Sequence, residues 1–316
     1  MYKNKTIGVV VPAYNESKLI GRVIDTMPDY IDHIIIVDDK SSDRTVEIVK
    51  TYIRDDSDRI ILIEHEINQG VGGAISTGYK WCRDHKIDIS VVMAGDAQMD
   101  PADLPALLDP VASGETDYAK GNRLISGQAW NKIPRTRYLG NAMLSLLTKI
   151  ASGYWHVADS QTGFTAANLK VLQTLDLDLI YKRYGMPNDM LVRLNINNFR
   201  VRDIEIHPIY GIGEKSGFRP LMMIPNLSWL IARLFVRRMV QKYVIRDFHP
   251  LVIFYLSGLF LSIAGMVLGL YAILYRIITG PLFDNTPLFA VFLFISGWQF
   301  LLFGMWFDME YNKELK

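Results

Sequence analysis

Two stretches near the C-terminus carry no charged side chain: 25 residues from Leu251 to Tyr275 and 21 from Pro287 to Phe307. At 1.5 Å per residue, each exceeds the roughly 20 residues that a helix needs to cross a hydrocarbon core. Soluble core helices rarely avoid charge for so long, so the pattern predicts two membrane spans. Eleven residues, 276–286, separate them, and Thr279-Gly280-Pro281 supplies turn chemistry. The two spans are therefore expected to form an antiparallel hairpin. Arg233, Arg237, Arg238, Lys242 and Arg246 precede the first span with no acid until Asp247, whereas the connecting loop carries Arg276 against Asp284. Basic flanks stay on the cytoplasmic side. Both termini and the N-terminal body are therefore expected in the cytoplasm, with the chain integral to a membrane, the plasma membrane of a prokaryote. Between 226 and 246, Leu227, Leu230, Ile231 and Leu234 recur on one helical stripe, and Arg233, Arg237, Gln241 and Lys242 on another. This predicts an interface helix whose cations face anionic headgroups.

Composition narrows the rest. Half of the 316 residues are hydrophobic and 21% are charged, and the apolar excess lies after about position 220. With 34 basic against 33 acidic residues, no nucleic-acid partner is expected. A single cysteine, Cys82, excludes an intrachain disulfide framework or a multi-cysteine zinc site and fits a reducing compartment. The apolar run at 7–11 is too short for a signal peptide.

Upstream of 219, short β-branched runs alternate with helical patterns. Strands are expected at 6–11, 33–37, 59–63 and 89–93, with helices at 18–27, 44–52 and 73–85 between them. Continuous apolar strands in such alternation predict an α/β fold with a mostly parallel sheet covered on both faces. Ligands of such sheets bind beyond the carboxyl ends of the strands. The chemistry is therefore sought in 12–16, 38–43, 68–73 and 94–100. A dinucleotide reading of Gly70-Val71-Gly72-Gly73 fails, because these glycines follow the third strand and their spacing does not match the fingerprint.

The strand-end segments are Val9-Val10-Val11-Pro12-Ala13-Tyr14-Asn15-Glu16, Val37-Asp38-Asp39-Lys40-Ser41-Ser42-Asp43-Arg44-Thr45, Asn68-Gln69-Gly70 and Gly95-Asp96-Ala97-Gln98-Met99-Asp100-Pro101. In this order they resemble the inverting family 2 glycosyltransferases of the GT-A fold, a Rossmann-like mixed, mostly parallel sheet. With the C-terminal hairpin, the chain resembles the polyprenyl-phosphate glycosyltransferases. That group includes dolichol-phosphate mannose synthases and bacterial undecaprenyl-phosphate glucosyltransferases.

The partners implied are a nucleotide-diphosphate sugar, a polyprenyl phosphate and the membrane, with self-association through the hairpin left open. Groups at Pro12, Ala13 and Tyr14, together with Glu16, Asp39, Gly70 and Gly95, would surround the nucleotide. The resemblance puts Asp39 at the base edge and Glu16 near the ribose. Asp38 and Asp43 read equally well as caps of the following helix. The pyrophosphate calls for a hard cation with oxygen ligands, Mg²⁺ or Mn²⁺. By resemblance, Asp96 is the second Asp of a DxD motif and Gln98 a further ligand; Ala94 replaces the first Asp, so the ion would lean more on the substrate. Asp100 before Pro101 reads as an N-cap.

For the acceptor phosphate the resemblance points to Arg123, in Gly121-Asn122-Arg123, and to Arg137 and Asn141, which share one helix face. Asn141 stands where mannose synthases carry Ser, and Arg135 is a nearby competitor. Lys215, in a glycine-bearing segment at 210–216, would close over the pyrophosphate. Asp189 reads as a sugar contact, a base or a helix cap, and Asp159 to Phe164 as a lining of the sugar pocket that opens the last core strand. His207 reads as structural.

A phosphate monoester is already charged near neutral pH, its second pKa being about 6, so inverting transfer to it needs no strong base. The expected organisation is a catalytic domain at 1–219, interface helices at 220–248, a membrane hairpin at 249–308 and a tail at 309–316. The rival readings are a processive polysaccharide synthase, which would need a QxxRW signature not found here, and a silent membrane-anchored nucleotide-binding scaffold.

Overall fold

A computed structural model describes residues 1–124, 135–207, 209, 220–280 and 285–316, without the side chains of 55, 135–142 and 220–224. It divides into two compact units, Met1–Phe235 with Leu315–Lys316, and Val236–Glu314.

The first unit is built on a seven-stranded sheet. Its strands are β1 (Ile7–Ala13), β2 (His33–Asp38), β3 (Ile60–Glu64), β4 (Ile89–Val92), β5 (Tyr118–Asn122), β6 (Thr165–Asn168) and β7 (Val201–Glu205), in the order β3-β2-β1-β4-β6-β5-β7. The β1–β2, β2–β3, β1–β4 and β5–β7 pairs are parallel, whereas β6 runs antiparallel to β4 and β5. All but β6 therefore end on one edge. Every residue of β1 is buried, as expected of a central strand covered on both faces. Alternation divides the apolar residues between two cores: Val9, Val11, Ile34 and Ile36 enter one, Val10, Ile35 and Val37 the other.

The first three helices are α1 (Ile20–Asp25), α2 (Thr45–Asp55) and α3 (Val71–Asp84), each following the strand of its number. Next come α4 (Leu104–Ala112), α5 (Arg135–Ser152), α6 (Leu169–Thr174) and α7 (Met186–Ile196). Asp100 caps a short 3₁₀ turn, Pro101–Asp103, and accepts from the Ala102 N–H at 2.9 Å. Asp159 to Phe164 leads directly into β6, which starts at Thr165 and runs against both of its neighbours. With only Val201 buried, β7 reads Val-Arg-Asp-Ile-Glu and can stay polar because it forms the edge of the sheet.

Helix α8 spans Pro220–Val240. Its apolar stripe packs against the first unit's own helices. Leu227 and Ile231 pack with Ala151, Leu144 and Leu147 of α5, and Leu234 packs with Val192 and Ile196 of α7. The helix exposes Trp229 instead, at 74%.

The second unit holds α9 (Leu251–Ile278) and α10 (Asn285–Tyr311), both long and apolar enough to cross a membrane. They meet along glycines: a methyl added at Gly258 would come 2.9 Å from the Gly297 carbonyl oxygen, and one at Gly265 would come 2.5 Å from the Phe294 nitrogen. Ahead of α9, Gln241–Arg246 forms a π-helical turn. Its wider turn shifts the helical register of the side chains and corrects the placement of Lys242 on a headgroup-facing stripe. The Lys242 ammonium is buried and donates to Asn312 Oδ1 at 2.8 Å. Arg238 is also inside, forked onto Asp308 by Nη1–Oδ1 and Nη2–Oδ2 contacts of 2.7 and 2.9 Å, and both side chains are 0% exposed. Tyr243 donates its hydroxyl to the same carboxylate at 2.6 Å.

Candidate active site at the carboxyl ends of the strands

The polar segments that follow β1 and β2 are sewn to each other. Asn15, with φ of 58°, donates its N–H to Ser41 Oγ at 2.9 Å and accepts from the Ser42 N–H at 2.7 Å. Glu16 donates its N–H to Thr45 Oγ1, and Ser17 donates to Asp43 Oδ2. Asp43 also takes the Thr45 N–H at 3.0 Å, so it joins the β1 loop to the start of α2. Burial alone would raise its carboxyl, but the hydrogen bonds from Thr45 and Ser17 win and lower it to about 2. One Asp38 oxygen accepts from the Ser41 N–H, and the other is buried without a partner.

Asp39 is buried and turned toward the β3–α3 connection. Its two oxygens accept the N–H groups of Gln69 and Gly70 at 2.8 and 2.7 Å, and Oδ1 also meets His65 Nδ1 at 2.8 Å. His65 in turn reaches Thr77 Oγ1 at 2.9 Å. Sequence reasoning missed His65; its place directly after β3 was the available signal. Gly70 has φ of 85°, and a methyl there would come 2.5 Å from the Lys182 carbonyl oxygen. The glycines at 70 and 72 thus admit a close-packed stretch of backbone at 181–182.

That stretch explains the surroundings of Asp189. Asp189 lies in the first turn of α7, which starts at Met186, so it is inside the helix and not its cap. Its Oδ2 accepts from the Tyr181 N–H at 2.9 Å and from Arg193 Nε at 2.7 Å, while Arg193 also donates to the Leu179 carbonyl. The pair is buried at 3% and 6% exposure and holds 179–182 over the start of α3.

Beyond β4, Gly95 donates its N–H to the Pro12 carbonyl at 3.1 Å, and a methyl on it would lie 3.3 Å from that oxygen. The β4 loop is thereby pressed against the end of β1, with Ala97 in the left-handed region at φ of 56°. Asp96 Oδ1 accepts the Gln98 N–H at 3.1 Å. Glu16, Asp43 and Asp96 come together here: burial first, then the Asp96 and Asp43 anions, push the Glu16 carboxyl up to about 7. Among the described residues, no group of three or more His, Cys, Asp or Glu side chains is placed to hold a metal ion. The Asp96 carboxylate and the Gln98 amide, two positions apart in the chain, are nevertheless the hard oxygen donor types that a divalent cation takes.

Arg123 follows β5 directly. Asp159 accepts from its N–H at 3.2 Å, its Nε at 2.7 Å and its Nη2 at 3.1 Å. The arginine is 24% exposed and the aspartate 1%. Behind them Lys120 is buried and donates to the Thr162 carbonyl; burial pulls its ammonium down to about 8. Positions 137 and 141 lie one turn apart on the backbone of α5, with their side chains outside the described residues, as is Lys215 in the 210–219 segment. His207 is exposed and pairs with Asp103 Oδ1 at 3.0 Å.

Comparisons with known proteins agree with this layout. A model of glycosyl transferase family 2 matches residues 8–176, more than half of the chain. The UDP-N-acetylglucosamine–dolichyl-phosphate N-acetylglucosaminyltransferase of Methanococcus voltae is 33% identical, over 70% of this chain and 96% of the relative. The polyprenol monophosphomannose synthase of Mycolicibacterium smegmatis is 29% identical, over 66% and 80%. Among solved structures, glucosyl-3-phosphoglycerate synthase from Mycobacterium tuberculosis, in complex with Mn²⁺, UDP and glucosyl-3-phosphoglycerate, superposes with a TM-score of 0.52. That likeness, at 21% identity over 74% of this chain and 80% of the other, is one of fold. Strand-end carboxylates, sheet order and family match lead to one assignment: the chain is a glycosyltransferase and belongs to glycosyl transferase family 2.

Proposed function

We propose that this glycosyltransferase moves a sugar from a UDP-linked donor to a polyprenyl phosphate, with inversion, on the cytoplasmic leaflet. The observation that carries the reading is the division of charge along one sheet edge. Acids gather where β1 and β4 end, and Arg123 stands where β5 ends. A diphosphate with its cation suits the first place, and a phosphate monoester the second. The C-terminal hairpin supports a lipid acceptor, as do the acceptors in the names of the M. voltae and M. smegmatis relatives. The M. voltae name also favours UDP.

Asp96, with Gln98, would hold Mg²⁺ or Mn²⁺, the donor's own oxygens completing the shell, and Glu16 would lie beside it. When bound, the ion supplies positive charge against the departing diphosphate. The protein's residues do the rest. The stitched β1 and β2 loops fix Pro12, Ala13 and Tyr14 around the nucleoside, Asp39 sets the 68–70 turn, and Arg123 orients the acceptor anion for in-line attack. Asp189 shapes the sugar end of the site by holding 179–182, and Arg137, Asn141 and Lys215 are assigned to the two phosphates.

The test is transfer of radiolabel from UDP-N-acetylglucosamine, UDP-glucose and GDP-mannose to undecaprenyl or dolichyl phosphate in detergent, with Mg²⁺ or Mn²⁺. Label should enter the organic phase from a UDP sugar, and Asp96→Ala should lower the rate by ~10³-fold or more. Absence of lipid-linked product from every donor would sink the reading. A scaffold without activity would also show no cation-dependent thermal stabilisation by UDP.

A further inference from the structure

Arg123 does not enter the site as a loose surface cation. Three hydrogen bonds to Asp159 hold its backbone N–H and one edge of its guanidinium. Asp159 is itself fixed, accepting the Gln161 N–H at 3.1 Å. The strand that delivers Arg123 is pinned as well. Asn122 donates to Asp203 Oδ2 at 2.6 Å and accepts the Leu124 N–H at 2.9 Å, and the Ala158 N–H reaches the same Asp203 oxygen at 2.7 Å. Both the arginine and the segment carrying its carboxylate are therefore tied to β7.

A free arginine gives up rotamer entropy when it is immobilised on a ligand. A planar fork already held along one edge keeps a set orientation. We propose that Asp159 is the positioning residue of the acceptor site, aiming the Arg123 guanidinium at the incoming phosphate before it arrives. A buried anion beneath a phosphate-binding arginine would oppose the ligand unless it were offset. Lys120, buried behind the pair, sets its positive charge against both Asp159 and Asp203. Although burial would raise the Asp159 carboxyl, Arg123 and Lys120 hold it below its ordinary range, so it stays an anion able to accept all three bonds.

This rests on the reading that Arg123 meets the acceptor phosphate, and the experiment separates the two. KM for undecaprenyl phosphate in detergent micelles and KM for the UDP sugar are measured for Asp159→Asn, Arg123→Ala and their double variant. Asp159→Asn should raise the acceptor KM ~10-fold, the worth of a charge-assisted hydrogen bond, and leave the donor KM within about twofold. The double variant should be no worse than Arg123→Ala alone, since the aspartate acts only through the arginine. An acceptor KM unmoved by Asp159→Asn, equal rises in both KM values, or additive losses would overturn the proposal. If Arg123→Ala leaves the acceptor KM unchanged, it is the acceptor assignment that fails. Should Asp159→Asn lose its stabilisation by UDP, and so its fold, Arg123→Lys decides. It keeps the charge and loses the fork, so its acceptor KM should rise ~10-fold; a wild-type value there refutes positioning.

Discussion

Two arginine–aspartate forks, one in each unit, use the same pair of side chains for different ends. Arg123–Asp159 joins partners 36 positions apart, with the guanidinium 24% exposed and the carboxylate 1%. Arg238–Asp308 joins partners 70 positions apart, and both side chains are wholly sealed. A cation that keeps one face toward water can hand that face to a ligand. One that is sealed on every side, with Tyr243 and Asn312 completing the hydrogen bonds of its carboxylate, can only hold the protein to itself. Accessibility, more than the pairing, separates a site from a rivet.

The contrast can be broken by substitution. Asp308→Ala strands a buried guanidinium and should cost about 3–5 kcal/mol, read as a fall in the detergent melting temperature. Arg123→Ala comes next, in a different currency. Transfer efficiency toward the lipid phosphate should drop ~100-fold, with only about 1–2 kcal/mol lost in stability because water reaches the vacated place. Removing both members of the sealed pair, Arg238→Met with Asp308→Leu, should come within about 2 kcal/mol of wild type, since apolar replacement relieves two desolvation costs. If the double variant melts as low as Asp308→Ala, the pair does more than hold itself together.

The smallest effect sharpens the open fork. Burial pushes the Asp203 carboxyl up to about 6, so the folded chain binds that proton more tightly than the unfolded one. Its contribution is complete below the unfolded value near 3.9 and fades as pH rises to about 6. Asp203→Asn should flatten that decline by ~1 kcal/mol in melts taken from pH 4 to pH 7.

The strand ends were legible because β1, β2 and β4 are mainly apolar, buried runs that stop at turn-forming, charged segments. The hairpin was legible from the absence of charge. Pairings over long separations were not. No local pattern tells that Asp39 turns to Gln69 and Gly70, 30 and 31 residues away, or that Asp159 comes back to Arg123. The bounds of β7 were harder to read, because an edge strand with polar side chains lacks the signature of a core strand. Lys242 was placed on the wrong side because a periodicity of 3.6 breaks at a π turn. An acid at the end of a charge-free span, facing a cluster of cations before the other span, was the available clue to Arg238–Asp308.

The glycine seam between α9 and α10 has a consequence for how the chain sits among lipids. Its small residues are spent on the partner helix, with no room for one more carbon at Gly258 or Gly265. The outward surface of the pair is broad and greasy: Phe260, Ile263, Val267, Phe292, Ile295 and Trp298 are all more than half exposed. Acyl chains therefore meet a stout two-ply post, and any neighbour that grips it must do so through bulky rings and branched aliphatics.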